Sequence, residues 1–268
     1  MKRLALLTIF SLSLSLQACK KEPAKIISIS PSDFSTQDQI KIGDAFRNTI
    51  EQSPGQFNIL DRAVYKDAYI YIEKLFSTML NTAQVERRLV YNWSVHIIND
   101  DSKTTLFFLP GGHLYIYTGL LKYVDTESQL LEIIGHEIYY TDTDLLILKM
   151  KDEFDGKTLG DILLGNNVPQ MGALAADMPM LTFEEKDVML ADSFAVAMIC
   201  PFLYEPLGIK SLVGKADSES VNLDWLMTRA ANLDSRNSNL ERQALPCGLN
   251  GVTNEEAYQN FKTEYLPK

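Results

Sequence analysis

The sequence predicts an α+β fold, mostly helical, with a small mixed or antiparallel sheet. Three observations predict it. Residues 36–80 place apolar side chains at helical spacing. Residues 93–117 contain short alternating runs rich in β-branched and aromatic types. Residues 126–265 return to helical patterns, opened by Thr126, Thr182 and Thr253, each followed three positions later by Gln or Glu as in a capping box. Helices, then strands, then helices is an α+β order rather than alternating βαβ units.

Taken in order, Ser35 or Thr36 caps a helix that runs to about Gln52, with Ile40, Ile42, Ala45, Phe46 and Ile50 on its apolar face; Ser53-Pro54-Gly55 ends it. A second helix spans about Asp61 to Leu80, with Val64, Ala68, Ile72 and Leu75 in register. Trp93 to Ile98 reads as a strand, Leu106 to Leu109 as another, and Leu114 to Tyr117 as a third entered through the Pro110-Gly111-Gly112 turn. Thr126 and Gln129 open a helix striped by Leu130, Ile133, Ile134 and Ile138. Residues 141–181, interrupted by Gly156, Gly160, Gly165, Pro169 and Gly172, give no clear element. Thr182 and Glu185 start a helix reaching Pro201, and Thr253 and Glu256 open a last one from Asn254 to about Tyr265.

Composition bounds the function. The 268 residues are 46% hydrophobic and 22% charged, enough for a core without staples. The formal net charge is -10, and no basic stripe appears, so nucleic acid is not an expected partner. The N-terminus carries the sharpest local signal. Met1-Lys2-Arg3 is a short positive segment, Leu4 to Leu16 is apolar, and Leu16-Gln17-Ala18-Cys19 resembles the lipobox of bacterial lipoproteins. The resemblance implies a signal peptide over 1–18, a lipid on Cys19 that holds the protein at a membrane, a tether over 19–35 and a folded domain over 36–268. An ordinary signal peptide, or a buried helix with an incidental cysteine, is the alternative. Lys20, where an Asp is absent, resembles the pattern of outer-membrane lipoproteins facing the periplasm. Cys200 and Cys247 lack CxxC spacing; they form either a disulfide or two separate thiols.

The chemistry centres on Gly135-His136-Glu137-Ile138-Tyr139-Tyr140. In an HExxH helix the two histidines, four apart, share a face and hold one Zn²⁺, while the Glu activates the bound water. Here His136 and Glu137 are present, but position 140 is Tyr. The setting of this pair carries a specific pattern: Leu109-Pro110-Gly111-Gly112-His113-Leu114-Tyr115-Ile116-Tyr117-Thr118-Gly119-Leu120-Leu121, followed by a capped helix bearing Gly135-His136-Glu137-Ile138. It resembles metallopeptidase family 48, the family of CAAX prenyl proteases, heat-shock membrane proteases and envelope lipoprotein proteases, whose members place an LPGGxIYVxTGLL strand before a GHExxH helix. Asp38 to Gly43 resembles the family's opening helix, Leu190-Ala191-Asp192 its E-x-x-A-D segment, and Tyr204-Glu205-Pro206 the turn that follows.

The resemblance implies a zincin-like domain with His136 as first zinc ligand, Glu137 as catalytic base and Asp192 as a carboxylate orienting a ligand histidine. It also implies that the other two ligand positions hold Tyr140 and Val188, and that Arg236 stands where the family has a later histidine. Thr105-Leu106 replaces an Asn-Ala pair on the edge strand. Val offers no donor atom, and Tyr must lose a proton to ligate. Glu184 and Asp187 are nearby carboxylates, but a one-turn shift moves a ligand by about 5.4 Å. Zinc is therefore the cofactor if the site is active, and otherwise there is none. The expected role is binding or scaffolding of envelope proteins. Gly112, His113, Leu114, Tyr115 and Arg236 would line the old substrate groove, where Leu114 to Tyr117 would take an extended peptide by strand addition. The alternatives are an active zinc endopeptidase with substituted ligands in envelope protein quality control, and a different activity in the same cleft. The plainest reading leaves His136 and Glu137 as a hydrogen-bonded pair on a core helix, with His96 and His113 structural. No G-x-S-x-G elbow nominates a serine nucleophile.

Overall fold

The computed structural model describes residues 33–223, 225–226, 233–248 and 250–268. The expected signal segment, Cys19 and nearly all of the tether lie outside the described residues.

Helix α1 (Thr36–Glu51) is capped by Ser35, whose hydroxyl accepts from the Asp38 amide while the Asp38 carboxylate returns a bond to the Ser35 amide. Its apolar face, Ile42, Phe46 and Ile50, is buried. Helix α2 (Lys66–Leu80) starts five residues later than its periodicity suggests. The cause is local: Asp61 accepts hydrogen bonds from the amides of Ala63 and Val64, a turn that competes with helix.

Strands β1 (Ser94–Ile98), β2 (Leu106–Leu109) and β3 (His113–Tyr117) form a mixed sheet in the order β1-β3-β2. β3 pairs parallel with β1 and antiparallel with β2. Gly111 and Gly112, both at positive φ (84° and 97°), make the tight β2–β3 turn that side chains would strain. The expectation that Leu114 to Tyr117 accept an added strand is corrected here. β3 is the central strand, both its edges are paired, and all its residues are buried.

Helix α3 (Thr118–Tyr123), absent from the sequence reading, follows β3 directly. Helix α4 (Glu127–Asp142) is capped by Thr126 as expected, but the Gln129 side chain bonds the amide of Asp125, one residue before the cap. Residues 141–181 hold α5 (Leu145–Phe154), α6 (Gly156–Leu163) and α7 (Met171–Asp177), then a 3-10 turn over Met178–Met180. Helix α8 (Glu185–Ile199) follows, then α9 (Gly208–Glu219), α10 (Leu233–Ala244) and α11 (Glu255–Tyr265). The capping boxes expected at Thr182/Glu185 and Thr253/Glu256 do not form. Glu184 precedes α8 without a side-chain cap, and Asn254 opens α11 from a left-handed conformation. Asn254 instead spends its side chain on Glu127, tying α11 to the start of α4.

The core is continuous from α1 and α2 through the sheet to α4 and α8. Gly135 permits the close approach of α4 to α8. A Cβ there would sit 2.8 Å from Met79 Cε and 3.2 Å from Ala195 Cα. This contact fixes the two helices that carry the candidate site. Cys200 and Cys247 are joined in a disulfide, with Cα atoms 5.1 Å apart, and link the end of α8 to the end of α10.

Candidate functional site

Helix α4 is buried almost all round, so its polar residues must find partners inside the protein. His136 is fully buried. Its Nδ1 lies 2.9 Å from Asp192 Oδ1 on α8, and its Nε2 lies 3.0 Å from the Tyr140 hydroxyl. Burial holds the imidazole below its usual pKa, against the raising effect of Asp192, so the ring is neutral at pH 7. A neutral ring has one N–H. With the Asp192 carboxylate accepting at Nδ1, Nε2 is the lone-pair nitrogen and accepts from Tyr140.

The far side of Asp192 is closed by Arg236 on α10, whose Nε donates to Oδ2 at 2.7 Å and whose second amino group donates to Oδ1 at 2.8 Å. Arg236 also donates to the Leu226 carbonyl at 2.8 Å. Burial alone would push Asp192 up, but the bonds from His136 and Arg236 and the guanidinium charge hold it below the usual carboxylate range. The result is a buried chain, Arg236–Asp192–His136–Tyr140, with a fork-to-carboxylate pair at one end and a phenol at the other.

Tyr140 is held by geometry of its own. Its ring stacks on Phe183 with centroids 3.6 Å apart and planes 9° apart. Burial, reinforced by the nearby Glu137 and Asp192 carboxyls, holds its hydroxyl well above pKa 10. A phenolate ligand is thus disfavoured. Val188, one helical turn before Asp192 on α8, is buried and offers no donor.

These residues do not fit a zinc ion. The only imidazole nitrogen facing the ligand position is engaged by Tyr140, and a zinc centre takes three protein ligands or more. Among the described residues no group of three His, Cys, Asp or Glu side chains converges as a metal site.

Glu137 lines a small chamber with Leu106, Phe107, Phe108, Leu146, Met178, Pro179, Leu181, Phe183 and Trp225. The space left is about 10 Å³, room for one water at most. Burial pushes the Glu137 carboxyl up to about 8, which favours its protonated form at neutral pH. The segment 178–183 thus packs beside β2, the strand that borders this chamber.

The structure brings together four of the residues singled out in sequence: His136, Tyr140, Asp192 and Arg236. It does not bring them into a groove. Arg236 is 2% exposed and serves Asp192. Gly112, His113, Leu114 and Tyr115 are buried too, and His113 faces Asp44 of α1 instead of Glu137. The expectation of an open groove lined by these residues is therefore corrected. Sequence reasoning missed Phe183 and the 178–183 cover, for which no local pattern gives a signal. It weighed Tyr140 as a ligand; the spacing of four that places it beside His136 equally predicts a hydrogen bond.

The fold and the site define a metallopeptidase-like domain in which the Tyr140 hydroxyl meets His136 Nε2. The model of Peptidase family M48 matches residues 69–141. The beta-barrel assembly-enhancing protease of Escherichia coli (strain K12) is 26% identical over 132 residues, 44% of this chain and 27% of that protein. The same-named protein of Yersinia pestis is 23% identical over 191 residues, 63% of this chain and 38% of its own length. A mitochondrial metalloendopeptidase of Bos taurus is 40% identical over 47 residues, 18% of this chain and 9% of that protein. Over residues 69–141 the chain is similar to the family 48 metallopeptidases. It spans well under half the length of these relatives.

Proposed function

We propose that this protein is a lipid-anchored envelope protein whose peptidase-like domain works without zinc and without hydrolysis, in binding or scaffolding envelope proteins. One observation carries the reading: the Tyr140 hydroxyl sits on His136 Nε2, where a metal would bind, within a network that leaves no buried charge unpaired. The protonated Glu137, shut in an apolar chamber, points the same way. The lipobox-like Leu16-Gln17-Ala18-Cys19 supports the anchor. Among the described residues no helix is long and apolar enough to cross a membrane. The names of the barrel-assembly relatives favour an envelope setting.

A deletion strain of the source bacterium tests this. Glu137→Gln and His136→Ala variants, at wild-type protein levels, are expected to restore its phenotype as well as the unmodified protein. Loss of function with Glu137→Gln at an unchanged protein level contradicts the reading.

A further inference from the structure

The face of the sheet that meets α1 carries a second group of reactive side chains, none of them part of the His136 chain. Ser94 opens β1 and lies opposite His113 in the parallel β1–β3 register. Its Oγ is 2.8 Å from His113 Nδ1 and 3.1 Å from His96 Nε2. The other nitrogen of His113, Nε2, faces Asp44 Oδ1 on α1 at 3.4 Å. That is long for a hydrogen bond, and Nε2 has no other partner. Long contacts of this kind are common in resting sites and shorten when substrate binds. Asp44 is itself held by Arg47 at 3.0 Å.

Burial pushes His113 down to about 4 and His96 down to about 3, so both rings are neutral near pH 7. The neighbouring carboxylate of Asp44 favours the proton of His113 on Nε2, which leaves Nδ1 to accept from Ser94. A hydroxyl donates once, so the His96 contact runs the other way, from Nε2–H to Ser94 Oγ. The order His96, Ser94, His113, Asp44 is a directed chain: a nucleophile, a base and a carboxylate that orients the base.

Among the described residues, six buried side-chain polar atoms lack a hydrogen-bond partner, and Arg47 Nε and Tyr115 OH, on residues beside this chain, are two of them. Tyr115 is set beside the chain by stacking on His96, with centroids 4.6 Å apart. Ser94 and His96 are half-buried, and His113 is buried.

We propose that Ser94 is the nucleophile of a metal-independent acyl-transfer site, with His113 as base and Asp44 as positioning residue, and that its substrates are small carboxylic esters. Ser94 Oγ bonds to the ester carbonyl carbon as its proton moves to His113 Nδ1. The C–O bond to the alcohol breaks, and the alcohol leaves with that proton. Water then attacks the acyl-serine, giving a proton to His113. The carboxylic acid departs, and His113 returns the proton to Ser94. The site goes beyond the scaffolding role proposed above and uses neither His136 nor Glu137.

A fluorophosphonate probe with peptide mapping tests it on the full mature chain, with a chelator present throughout. The expected result is one adduct per chain, on Ser94, absent from Ser94→Ala and slowed at least about tenfold in His113→Gln. Asp44→Asn is expected to slow labelling, and Asp44→Glu to restore part of it, which a merely structural role would not do. Circular dichroism checks each variant; if a variant does not fold, the adduct map of the unmodified chain decides. No adduct on Ser94, or labelling of a folded His113→Gln at the unmodified rate, overturns the proposal. Because the chelator removes any zinc-dependent reaction, the outcome is independent of whether the His136 site binds metal.

Discussion

The Tyr140 hydroxyl lies 3.0 Å from His136 Nε2 and takes up the nitrogen that an HExxH site gives to its metal. One helical turn separates the two residues, so a single substitution at the second histidine position turns a ligand pair into a hydrogen-bonded pair. Removing the hydroxyl should then leave a buried lone pair unmet. Tyr140→Phe is expected to destabilise the protein by about 1–3 kcal/mol, read as a lower denaturation midpoint with an unchanged slope.

Asp192 and Arg236 form a fully buried ion pair with two bonds. Arg236→Ala strands the carboxylate and is expected to cost about 3–5 kcal/mol. Asp192→Asn combined with Arg236→Ala removes both charges and should cost less than the sum of the two single changes. A double-mutant cycle by denaturant unfolding measures this. Additive effects would mean that the pair does not stabilise the site.

The fold was legible from its local patterns wherever burial is one-sided. Ile42, Phe46 and Ile50 give α1 a helical stripe, and the turn glycines Gly111 and Gly112 announce the β2–β3 turn. Segments whose structure is decided by distant partners were not legible. Helices α5 to α7 are short and broken by glycines, and the start of α11 is set by Asn254 reaching Glu127, not by a capping box. In the site, the family resemblance singled out His136, Tyr140, Asp192 and Arg236, which the structure brings into contact. It could not show that residues 178–183 fill the space above Glu137, because that contact joins positions some forty residues apart. Strand order was equally hidden: alternation identifies β3 as a strand but not as the central one.

Glu137 provides a pH test. Its folded pKa is raised to about 8 from 4.5, so the folded state binds more protons than the unfolded state between those values. Stability should therefore fall as pH rises from about 5 to 8. Glu132, fully buried and also raised to about 8 by burial, adds to the same slope. Glu137→Gln is expected to flatten the profile and gain on the order of 1–3 kcal/mol at pH 8 relative to pH 5. Thermal melts across this range check it; an identical pH slope in the variant would show that Glu137 is ionised in the folded protein.

The Cys200–Cys247 bridge closes a loop with a sequence separation of 47. Replacing both cysteines by Ser is expected to cost about 2–4 kcal/mol and to remove the effect of reductant on the melting temperature. A melt of the unmodified protein that is insensitive to reductant would contradict a structural bridge.

The family resemblance puts Tyr140 and Val188 at two zinc-ligand positions. Tyr140→His supplies a second imidazole, and Val188→Glu supplies a carboxylate one turn before Asp192. The most direct test compares zinc content, by elemental analysis, of the unmodified mature chain, its His136→Ala variant, and the Tyr140→His/Val188→Glu double variant after equilibration with zinc and desalting. The predicted result is no stoichiometric zinc in the first two and a clear gain in the double variant. Near-stoichiometric zinc in the unmodified chain, lost on His136→Ala, would contradict the account.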